Sequence, residues 1–521
     1  MTRNPCSRSR SRCVVLSGSL LLGFMVPLLG CGSGKSSSET TPPENNFQTV
    51  PLTRLSQDTF TNSTSQHATE VEPSSLAFGS TMVTAFQVGR ISAGGGADIG
   101  FATSTDAGTT WSSGYLPGIT IFEGGTVFTA ASDAVVAYDA AHKVWMISSL
   151  ALGNSNLAQV LVNRSPDAIN WGNPIGVSTS GSPDKNWIVC DDTASSPFYG
   201  HCYVEWDDPP NQDIIEMSTS TDGGLTWRPA LNTANLAEGI GGVPLVQPNG
   251  TVVVPILGIS GTSESITAFT STDGGASWNA PVTVSPVTDH SVAGSLRTAA
   301  LPSAQLDASG TLYVIWQDCR FRTNCTSNDL VLSSSTDGIN WTTPARVPID
   351  ATTSTVDHFI PGLGVDSATS GNTAHLTLTY YFYPVSNCGT GCQLGIGYVS
   401  SQDGGQTWSA STQLVGSMSP TWLPMTFSGQ MVADYISTSY VNGKAFGVFA
   451  VANPPAGTVL NQAIYTTPSP LVRERSGSIF SSKNERAIAN AKSDHGPRQF
   501  YDEDREFPIP PKRDLKRSAK K

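Results

Sequence analysis

Two carboxylates in the sequence have the chemistry that glycoside hydrolysis requires, and each lies at the end of a predicted strand. Glu205 stands in the run VEWDD and Asp318 in the run WQDCR. Two carboxyl groups at a suitable separation can act as general acid and as base or nucleophile on a glycosidic bond. The sequence does not give the distance between them, so the alternative is that both hold neighbouring strands together by hydrogen bonds.

Four arginines and one tyrosine are candidates for contacting a ligand. A planar guanidinium can bind a carboxylate through two parallel hydrogen bonds. Residues 47–470 contain eight arginines, and four of these lie beside a repeated turn or in a terminal strand. Tyr435 is a candidate nucleophile with Glu205 as its base, although no spacing supports this pairing. The remaining ligand-binding candidates are Arg90, Arg297, Arg320 and Arg322.

Clustered aspartates offer a second chemistry, the binding of a hard cation. Ca²⁺ takes carboxylate and carbonyl oxygens as ligands, and Asp184, Asp207 and Asp208 are candidates for such a site. No EF-hand loop supports it, so the alternative is that these residues belong to hydrogen-bonded belts between strands. The sequence contains no glycine-rich phosphate loop, histidine-rich zinc motif or serine elbow, so calcium is the only cofactor that it suggests.

The distribution of charge opposes nucleic acid as a partner. The formal net charge is −12, but residues 1–31 carry four basic groups and residues 471–521 carry 13 basic and 8 acidic groups. Residues 32–470 therefore carry 12 basic and 33 acidic groups, a net charge of −21. Such a body repels nucleic acid and anionic surfaces, and it also opposes an anionic substrate.

The elements that must position these residues are marked by a short phrase that occurs six times. STDGGLTW (Ser220 to Trp227) is a clear copy, and SPDAINW (Ser165 to Trp171) is the most degenerate. The closing tryptophans follow one another at 51 to 67 residues, a period that indicates stacked supersecondary units. Each copy follows a strand-like run and predicts a tight hairpin turn. The aspartates of the six copies are Asp106, Asp167, Asp222, Asp273, Asp337 and Asp403.

This phrase resembles the Asp-box, or bacterial neuraminidase repeat, of the sialidase-like β-propellers. The resemblance implies an all-β propeller of four-stranded blades, in which each box joins the third strand to the fourth on the face away from the active site. It also implies that the six aspartates are structural. A ligand is then expected at the channel mouth, the end of the central channel where loops enter first strands and leave second strands.

The strand pattern predicts how many blades the ring contains. Six units end in the repeated phrase, and a seventh unit, which begins at GQMVADYISTS, has three strands and no phrase. A strand from Phe47 to Leu55 would complete this last unit and close the ring without an exposed sheet edge. We therefore expect seven blades closed by an N-terminal strand, with six, the number of the known sialidases, as the alternative.

The catalytic set of the sialidases cannot be carried over to this sequence. Those enzymes resemble one another in an Arg-Ile-Pro segment, three arginines for the sugar carboxylate, an acid/base aspartate and a Tyr–Glu pair. Here Arg90-Ile91-Ser92 resembles the first feature, but it follows a predicted strand where the family's segment precedes one. If the protein is an enzyme, an exo-sialidase-like glycoside hydrolase is expected; binding without catalysis is the alternative.

Residues 1–30 are predicted to be an export signal. Four arginines precede the apolar run VVLSGSLLLGFMVPLLG, a pattern typical of a signal peptide rather than a spanning helix. The ending Leu28-Leu29-Gly30-Cys31 resembles the lipobox of bacterial lipoproteins, which implies cleavage before Cys31 and a diacylglycerol on its sulfur. An ordinary secretory signal is the alternative. Residues 31–46 read as a flexible tether, so we expect a monomeric lipoprotein anchored in the bacterial cell envelope.

The six cysteines of the predicted globular region form three close pairs in the sequence. An even number of cysteines in an exported protein indicates disulfides. Metal binding is the weaker alternative because no histidine accompanies any pair at zinc-finger spacing. The pairs are Cys190 with Cys202, Cys319 with Cys325 and Cys388 with Cys392.

The chain is thus predicted to contain one propeller, residues 47–470, between two terminal regions. Residues 471–521 are charged and poor in apolar side chains, which predicts disorder. Our hypothesis is an exported cell-surface lipoprotein that binds extracellular glycans at its channel mouth and, in the enzymatic alternative, hydrolyses them. The competing hypothesis is a non-catalytic propeller that binds proteins or has a structural role in the envelope.

Overall fold

The computed structural model describes residues 50–154, 157–178, 181–471, 480–481, 485–488 and 491–494. The predicted signal peptide, Cys31 and the tether lie outside the described residues. Within the described ranges no helix has the length and apolar character needed to cross a bilayer. The helices found in those ranges are short 3₁₀ turns at Pro209–Asn211, Thr323–Cys325, Gly371–Thr373, Gly389–Gly391 and Pro420–Trp422.

Most of the described chain forms short strands, which are numbered here in chain order. The first half contains β1 (Thr53–Arg54), β2 (Glu70–Phe78), β3 (Thr81–Arg90), β4 (Gly96–Ser104), β5 (Ser112–Tyr115), β6 (Ala130–Asp139), β7 (Val144–Leu152), β8 (Ala158–Ser165), β9 (Ile175–Gly176), β10 (Asp184–Cys190), β11 (Cys202–Asp208), β12 (Ile214–Ser220), β13 (Leu231–Asn232), β14 (Gly239–Ile240), β15 (Leu245–Val246), β16 (Val252–Ser260) and β17 (Ser263–Ser271). The second half contains β18 (Val282–Pro286), β19 (Ser303–Leu306), β20 (Leu312–Asp318), β21 (Asp329–Ser335), β22 (Ala345–Arg346), β23 (Asp357–Val365), β24 (Leu376–Tyr383), β25 (Leu394–Ser401), β26 (Thr407–Trp408), β27 (Thr412–Met418), β28 (Met425–Thr426), β29 (Gly429–Gln430), β30 (Ser437–Val441), β31 (Lys444–Ala452), β32 (Gln462–Thr466) and β33 (Phe480–Ser481).

These strands form a series of antiparallel sheets, most of them built from consecutive strands. Three four-stranded sheets have the orders β10-β11-β12-β13, β19-β20-β21-β22 and β23-β24-β25-β27. A further sheet contains β14 to β18, and an eight-stranded sheet contains β2 to β9. In this larger sheet β4 and β6 are joined by one residue pair, Gly96 with Ala131. The fold is an all-β β-propeller, and the prediction is confirmed at this level.

The last four-stranded sheet brings the two ends of the described propeller together. It has the order β1-β32-β31-β30, with Thr53 of β1 opposite Thr466 of β32. Ser56 extends this contact, because its Oγ accepts a hydrogen bond from the backbone nitrogen of Ile464 (2.7 Å) and donates one to Glu70 (2.9 Å). The N-terminal segment is therefore bonded to the end of the propeller.

The hydrophobic core lies mainly between neighbouring sheets. Met146 of β7, for example, belongs to one apolar cluster with Val204 and Trp206 of β11. Leu55, which follows β1, is 3% exposed and shares another cluster with Phe449 of β31. Apolar side chains of successive sheets thus stack face to face, as the hydrophobic effect requires of sheets that are buried on both sides.

Each repeated aspartate organises the turn in which it lies. In the first copy, Asp106 accepts hydrogen bonds at Oδ1 from the Ser104 hydroxyl (2.8 Å) and the Thr110 backbone nitrogen (2.8 Å), and Ser104 Oγ accepts one from the Gly108 backbone nitrogen (2.9 Å). Hydrogen bonds from Thr110 and Ser104 lower the pKa of Asp106 to about 2. The serine-to-aspartate bond recurs in all six copies, at 2.8 to 3.0 Å.

Candidate functional site

Five charged side chains meet at the end of the channel where the first strands of the sheets begin. Lys185 Nζ lies 3.5 Å from both Glu72 Oε1 and Asp133 Oδ1, and it also contacts Asp434 Oδ2. Arg297 donates from Nε to Asp434 Oδ1 (3.0 Å) and from Nη2 to the other oxygen. None of the five is more than 6% exposed. We call these residues the axial charge cluster.

Irregularities in three first strands bring the cluster together. Glu72 in β2 (φ 55°), Asp133 in β6 (φ 49°) and Lys185 in β10 (φ 44°) all have left-handed backbone conformation. Each lies where the pairing register of its strand shifts against the next strand. A bulge of this kind re-aims a side chain and costs backbone energy. Three first strands, two of them in the eight-stranded sheet and one in the sheet that begins with β10, therefore carry the same strained geometry.

The cluster neutralises most of its own charge, since three carboxylates face two cations. Burial by itself would raise the pKa of Asp434, but the adjacent Arg297 guanidinium and Lys185 ammonium hold that pKa well below its usual value. A buried carboxylate that binds a guanidinium through both oxygens is strongly held. Arg297 could bind the carboxylate of a ligand only by giving up Asp434.

Tyr435 and Trp187 lie beside the cluster and line small cavities among the first strands. Their ring centroids are 5.3 Å apart at an angle of 72°, and Lys185 Nζ lies 6.0 Å from the Tyr435 centroid. Both residues line two cavities of ≈ 40 Å³ and ≈ 20 Å³. Such volumes hold water molecules but fall far below the several hundred Å³ typical of a ligand pocket.

Each of the other predicted arginines is bonded to a partner of its own. Arg320 donates from Nε and Nη2 to the two oxygens of Asp318 (2.9 and 2.6 Å). Arg322 likewise donates from Nε and Nη2 to the two oxygens of Asp329 (2.9 and 2.5 Å). Arg90 Nη1 donates to Gln87 Oε1 (2.9 Å). With Arg297 held by Asp434, the four predicted arginines form no shared clamp in the described structure.

The two predicted catalytic carboxylates have different surroundings. Glu205 in β11 is fully buried, packs against Gly242, and burial raises its pKa well above the usual value. Burial also raises the pKa of Asp318, although Arg320 opposes this effect. Neither residue lines the two small cavities or the groove described below.

The predicted calcium ligands lie on the adjoining strands β10 and β11. Asp184 is directly opposite Asp207 in the ladder, and Asp208 Oδ1 accepts a hydrogen bond from the Ser182 backbone nitrogen (3.0 Å). Within the described residues, the ligand atoms of these three aspartates do not converge as those of a metal site would. The calcium site remains a prediction from the sequence.

One other set of residues has the donor atoms of a metal site, namely Asp329, Asp350 and His358. Arg322 Nη2 lies 2.7 Å from Asp350 Oδ1, and Arg346 Nε lies 2.8 Å from Asp329 Oδ1. Two guanidinium groups therefore already satisfy these carboxylates, and a further cation there would be repelled. We interpret this set as a structural ion network.

A groove of ≈ 780 Å³ opens at the channel mouth, between the loops that leave β20 and β24 and the loop that enters β23. Disulfides close the first two loops, Cys319–Cys325 and Cys388–Cys392. Together with Cys190–Cys202 they confirm the three predicted pairs. We call this feature the loop groove; its lining residues are Phe321, Thr323, Asn324, Thr326, Thr352, Thr353, Ser354, Thr355, Ser386, Asn387, Glu485, Arg486 and Ile488.

Sequence reasoning missed both the loop groove and three members of the axial charge cluster. Lys185 directly follows the predicted ligand Asp184, and Glu72 and Asp133 stand in the first-strand runs EVEPSS and AASDAVV. The sequence signal for the cluster was a charged residue near the start of several predicted first strands. The only sequence signal for the loop groove was that the loops between these predicted strands are rich in threonine and asparagine.

No protein-family profile and no curated protein sequence matches this chain. Solved structures with a similar fold include a Hadza microbial sialidase, with 16% identity over 77% of this chain and 66% of that chain and a TM-score of 0.41. They also include a polysaccharide lyase of the ulvan lyase type (9% identity, 80% of this chain, 95% of that chain, TM-score 0.46) and the Trypanosoma rangeli sialidase (11%, 80%, 58%, 0.41). The chain thus spans less than two thirds of the length of both sialidases. At these identities the similarity is one of fold alone.

Proposed function

We propose that this chain is an exported, lipid-anchored β-propeller that binds uncharged glycans in the loop groove. The observation that carries the proposal is the lining of the groove. Nine of the ten lining residues contributed by the propeller loops carry a hydroxyl or an amide. These groups donate and accept hydrogen bonds without bearing charge, which matches the hydroxyl-covered surface of a neutral sugar.

The size and stiffness of the groove also suit an extended ligand. Its volume of ≈ 780 Å³ falls within the range of pockets that bury most of a ligand's surface. Two of its three loops are closed by disulfides with sequence separations of six and four residues. Short covalent loops lose little freedom when a ligand binds, and such preorganisation favours affinity.

Charge favours a neutral glycan over an acidic one such as a sialoside. Arg297, Arg320 and Arg322 are each bound to an aspartate through two hydrogen bonds. An acidic sugar that bound any of these three arginines would have to break an existing pair, and it would enter a body with a net charge of −21. Neither cost applies to an uncharged oligosaccharide.

The same geometry favours binding over hydrolysis by the two carboxylates predicted from the sequence. A retaining or inverting glycosidase needs both groups beside one sugar ring. Glu205 and Asp318 are both fully buried, and both oxygens of Asp318 accept hydrogen bonds from Arg320. We therefore propose a binding protein and leave hydrolysis as the alternative outcome of the test.

The proposal includes the finer features expected from the sequence. Pairing of β1 with β32 supports a seven-bladed ring closed by an N-terminal strand, with the eight-stranded sheet counted as two blades joined by one residue pair. Three disulfides support export to an oxidising compartment. Calcium in the Asp184, Asp207 and Asp208 region and the lipid on Cys31 are part of this proposal.

The proposal is tested by binding of the whole chain to an array of neutral and acidic oligosaccharides. We expect saturable binding to neutral glycans, at least about tenfold weaker for Thr353→Ala/Asn387→Ala because each lost hydrogen bond costs about 1 kcal/mol. The matched control Thr262→Ala/Asn235→Ala changes exposed residues outside the groove and should bind normally. Absence of binding to every neutral glycan, or equal loss in the control, would refute the proposal; product release would favour the hydrolase alternative.

A further inference from the structure

Two short stretches of the C-terminal region lie against the channel mouth. Residues 485–488 form part of the wall of the loop groove, and residues 491–494 contact the loop that precedes β19. The sequence predicts disorder for residues 471–521, and most of that range lies outside the described residues. The two described stretches nevertheless make specific contacts with the propeller.

The first stretch is attached at both of its ends. Both carboxylate oxygens of Glu485 accept hydrogen bonds of 3.1 Å from Arg346 Nη1. Three residues later, the backbone nitrogen of Ile488 donates to the carbonyl oxygen of Arg320 (2.7 Å). Arg486 lies between these two contacts and is exposed. The stretch therefore lies in the groove wall, held by one ion pair and one backbone hydrogen bond.

The second stretch covers a histidine at the mouth. Asp494 Oδ2 lies 2.7 Å from His290 Nδ1, and Asp494 Oδ1 accepts a hydrogen bond from the Ser291 backbone nitrogen (2.8 Å). Ser493 Oγ accepts another from the Asp289 backbone nitrogen (3.2 Å). The His290 side chain is only 6% exposed, and Asp357 Oδ2 lies 4.0 Å from its other ring nitrogen.

The side chains that make these contacts remain partly open to water. The exposed fraction is 26% for the Glu485 side chain and 34% for that of Asp494, whereas their partners Arg346 and His290 are almost fully buried. Ion pairs that water can reach are weak and are screened by salt. Arg346 and His290 are thus held in place by the propeller. The C-terminal stretches can dissociate from them at a small cost in free energy.

We propose that residues 485–488 and 491–494 act as a releasable strap at the channel mouth, whose first stretch restricts the loop groove and so competes with an external ligand. Glu485, Arg486 and Ile488 form one part of the groove wall, so an oligosaccharide broader than the groove binds fully only after the strap has left. Release of the strap enlarges the groove and uncovers His290. The strap itself follows from the contacts, whereas its effect on glycan binding rests on the proposed function.

The strap is tested by hydrogen–deuterium exchange on the full chain and on the variant Glu485→Ala/Asp494→Asn. We expect the peptides that contain Asp289, Ser291 and Ile488 to exchange about tenfold faster in the variant, because their amides lose ordered acceptors. The control Lys492→Ala changes an exposed strap residue and should leave exchange unchanged. Neither variant alters a propeller residue, so unfolding midpoints should match the native chain.

The same proteins are then placed on the array of neutral oligosaccharides. Faster exchange with tighter glycan binding in the variant supports strap and competition together. Faster exchange without glycan binding by either protein supports the strap and refutes the proposed function. Equal exchange in native chain and variant overturns the strap, and faster exchange with unchanged glycan affinity overturns the competition.

Discussion

Replacing Lys185 by methionine is the most direct test of the axial charge cluster. Methionine is unbranched and similar in length, so it fills the space of the lysine side chain. It removes the ammonium group that lies 3.5 Å from both Glu72 and Asp133. Asp434 keeps Arg297 as a partner, so the unfavourable charge falls mainly on the other two carboxylates.

The expected loss of stability follows from the distances. At 3.5 Å and an effective dielectric constant of about 20, each lysine–carboxylate attraction amounts to about 5 kcal/mol. The substitution also abolishes the cost of burying the ammonium group, which offsets part of this loss. Removing one partner of a buried ion pair typically costs about 3–5 kcal/mol, and we expect Lys185→Met to fall in that range at pH 7.

The assay is denaturant unfolding of the native chain, Lys185→Met and the control Lys444→Met. Lys444 is exposed at the start of β31, so its replacement should change the free energy of unfolding by less than about 0.5 kcal/mol. Lowering the pH to 5 should restore part of the stability of Lys185→Met, because protonation of a neighbouring carboxylate removes the uncompensated charge. The control should show no such recovery.

Two results would refute this reasoning. A loss of less than about 1 kcal/mol at pH 7 would mean that water or rearrangement compensates the carboxylates, contrary to a buried network. A large loss that is the same at pH 5 and pH 7 would mean that packing, rather than charge, is the reason that Lys185 is needed.

Two further predictions concern the region where the N-terminal segment packs against the last sheet of the described propeller. Burial raises the pKa of Glu70 to about 8, so the folded state holds a proton that the unfolded state releases above its ordinary pKa, and stability should fall as the pH rises from about 4.5 to about 8. Glu70→Gln should remove up to about 1.4 kcal/mol per pH unit from that slope, as measured by denaturant unfolding at pH 5, 6 and 7; an unchanged slope would contradict the assignment. Leu55→Ala should cost about 2–5 kcal/mol, because Leu55 is 3% exposed in a core shared with Phe449. A loss below about 1 kcal/mol in the same unfolding assay would show that the N-terminal segment does not belong to the core.

Local features of the structure follow directly from the sequence. The repeated turns are predictable because Asp106 and its equivalents find all their hydrogen-bond partners within a few residues. The disulfides are predictable for the same reason, since the cysteines of each pair are 4 to 12 residues apart. Strand ends are likewise marked by turn residues.

The candidate site could not be derived in this way because its contacts join distant parts of the chain. Lys185 and Asp434 are 249 residues apart in the sequence. Their contact depends on β-bulges that cannot be predicted from the residue types alone. The same holds for Arg297, which a local reading treats as free to bind a ligand. The structure shows that this arginine is bound to Asp434, which agrees with the charge distribution in favouring a neutral ligand.

The hydrogen bond between the first and last parts of the described propeller has a consequence for how the molecule folds. This bond joins Ser56 to Ile464, which is 408 residues further along the chain. The hydrogen bonds of each repeated turn, in contrast, join residues less than five positions apart. Turns and single sheets can therefore form early, but β32 keeps an unpaired edge until the N-terminal strand returns to it. Contacts of such long range form slowly, and an open edge in that interval invites pairing with another molecule. Refolding at high concentration should consequently be limited by this last step, with aggregation as its competitor.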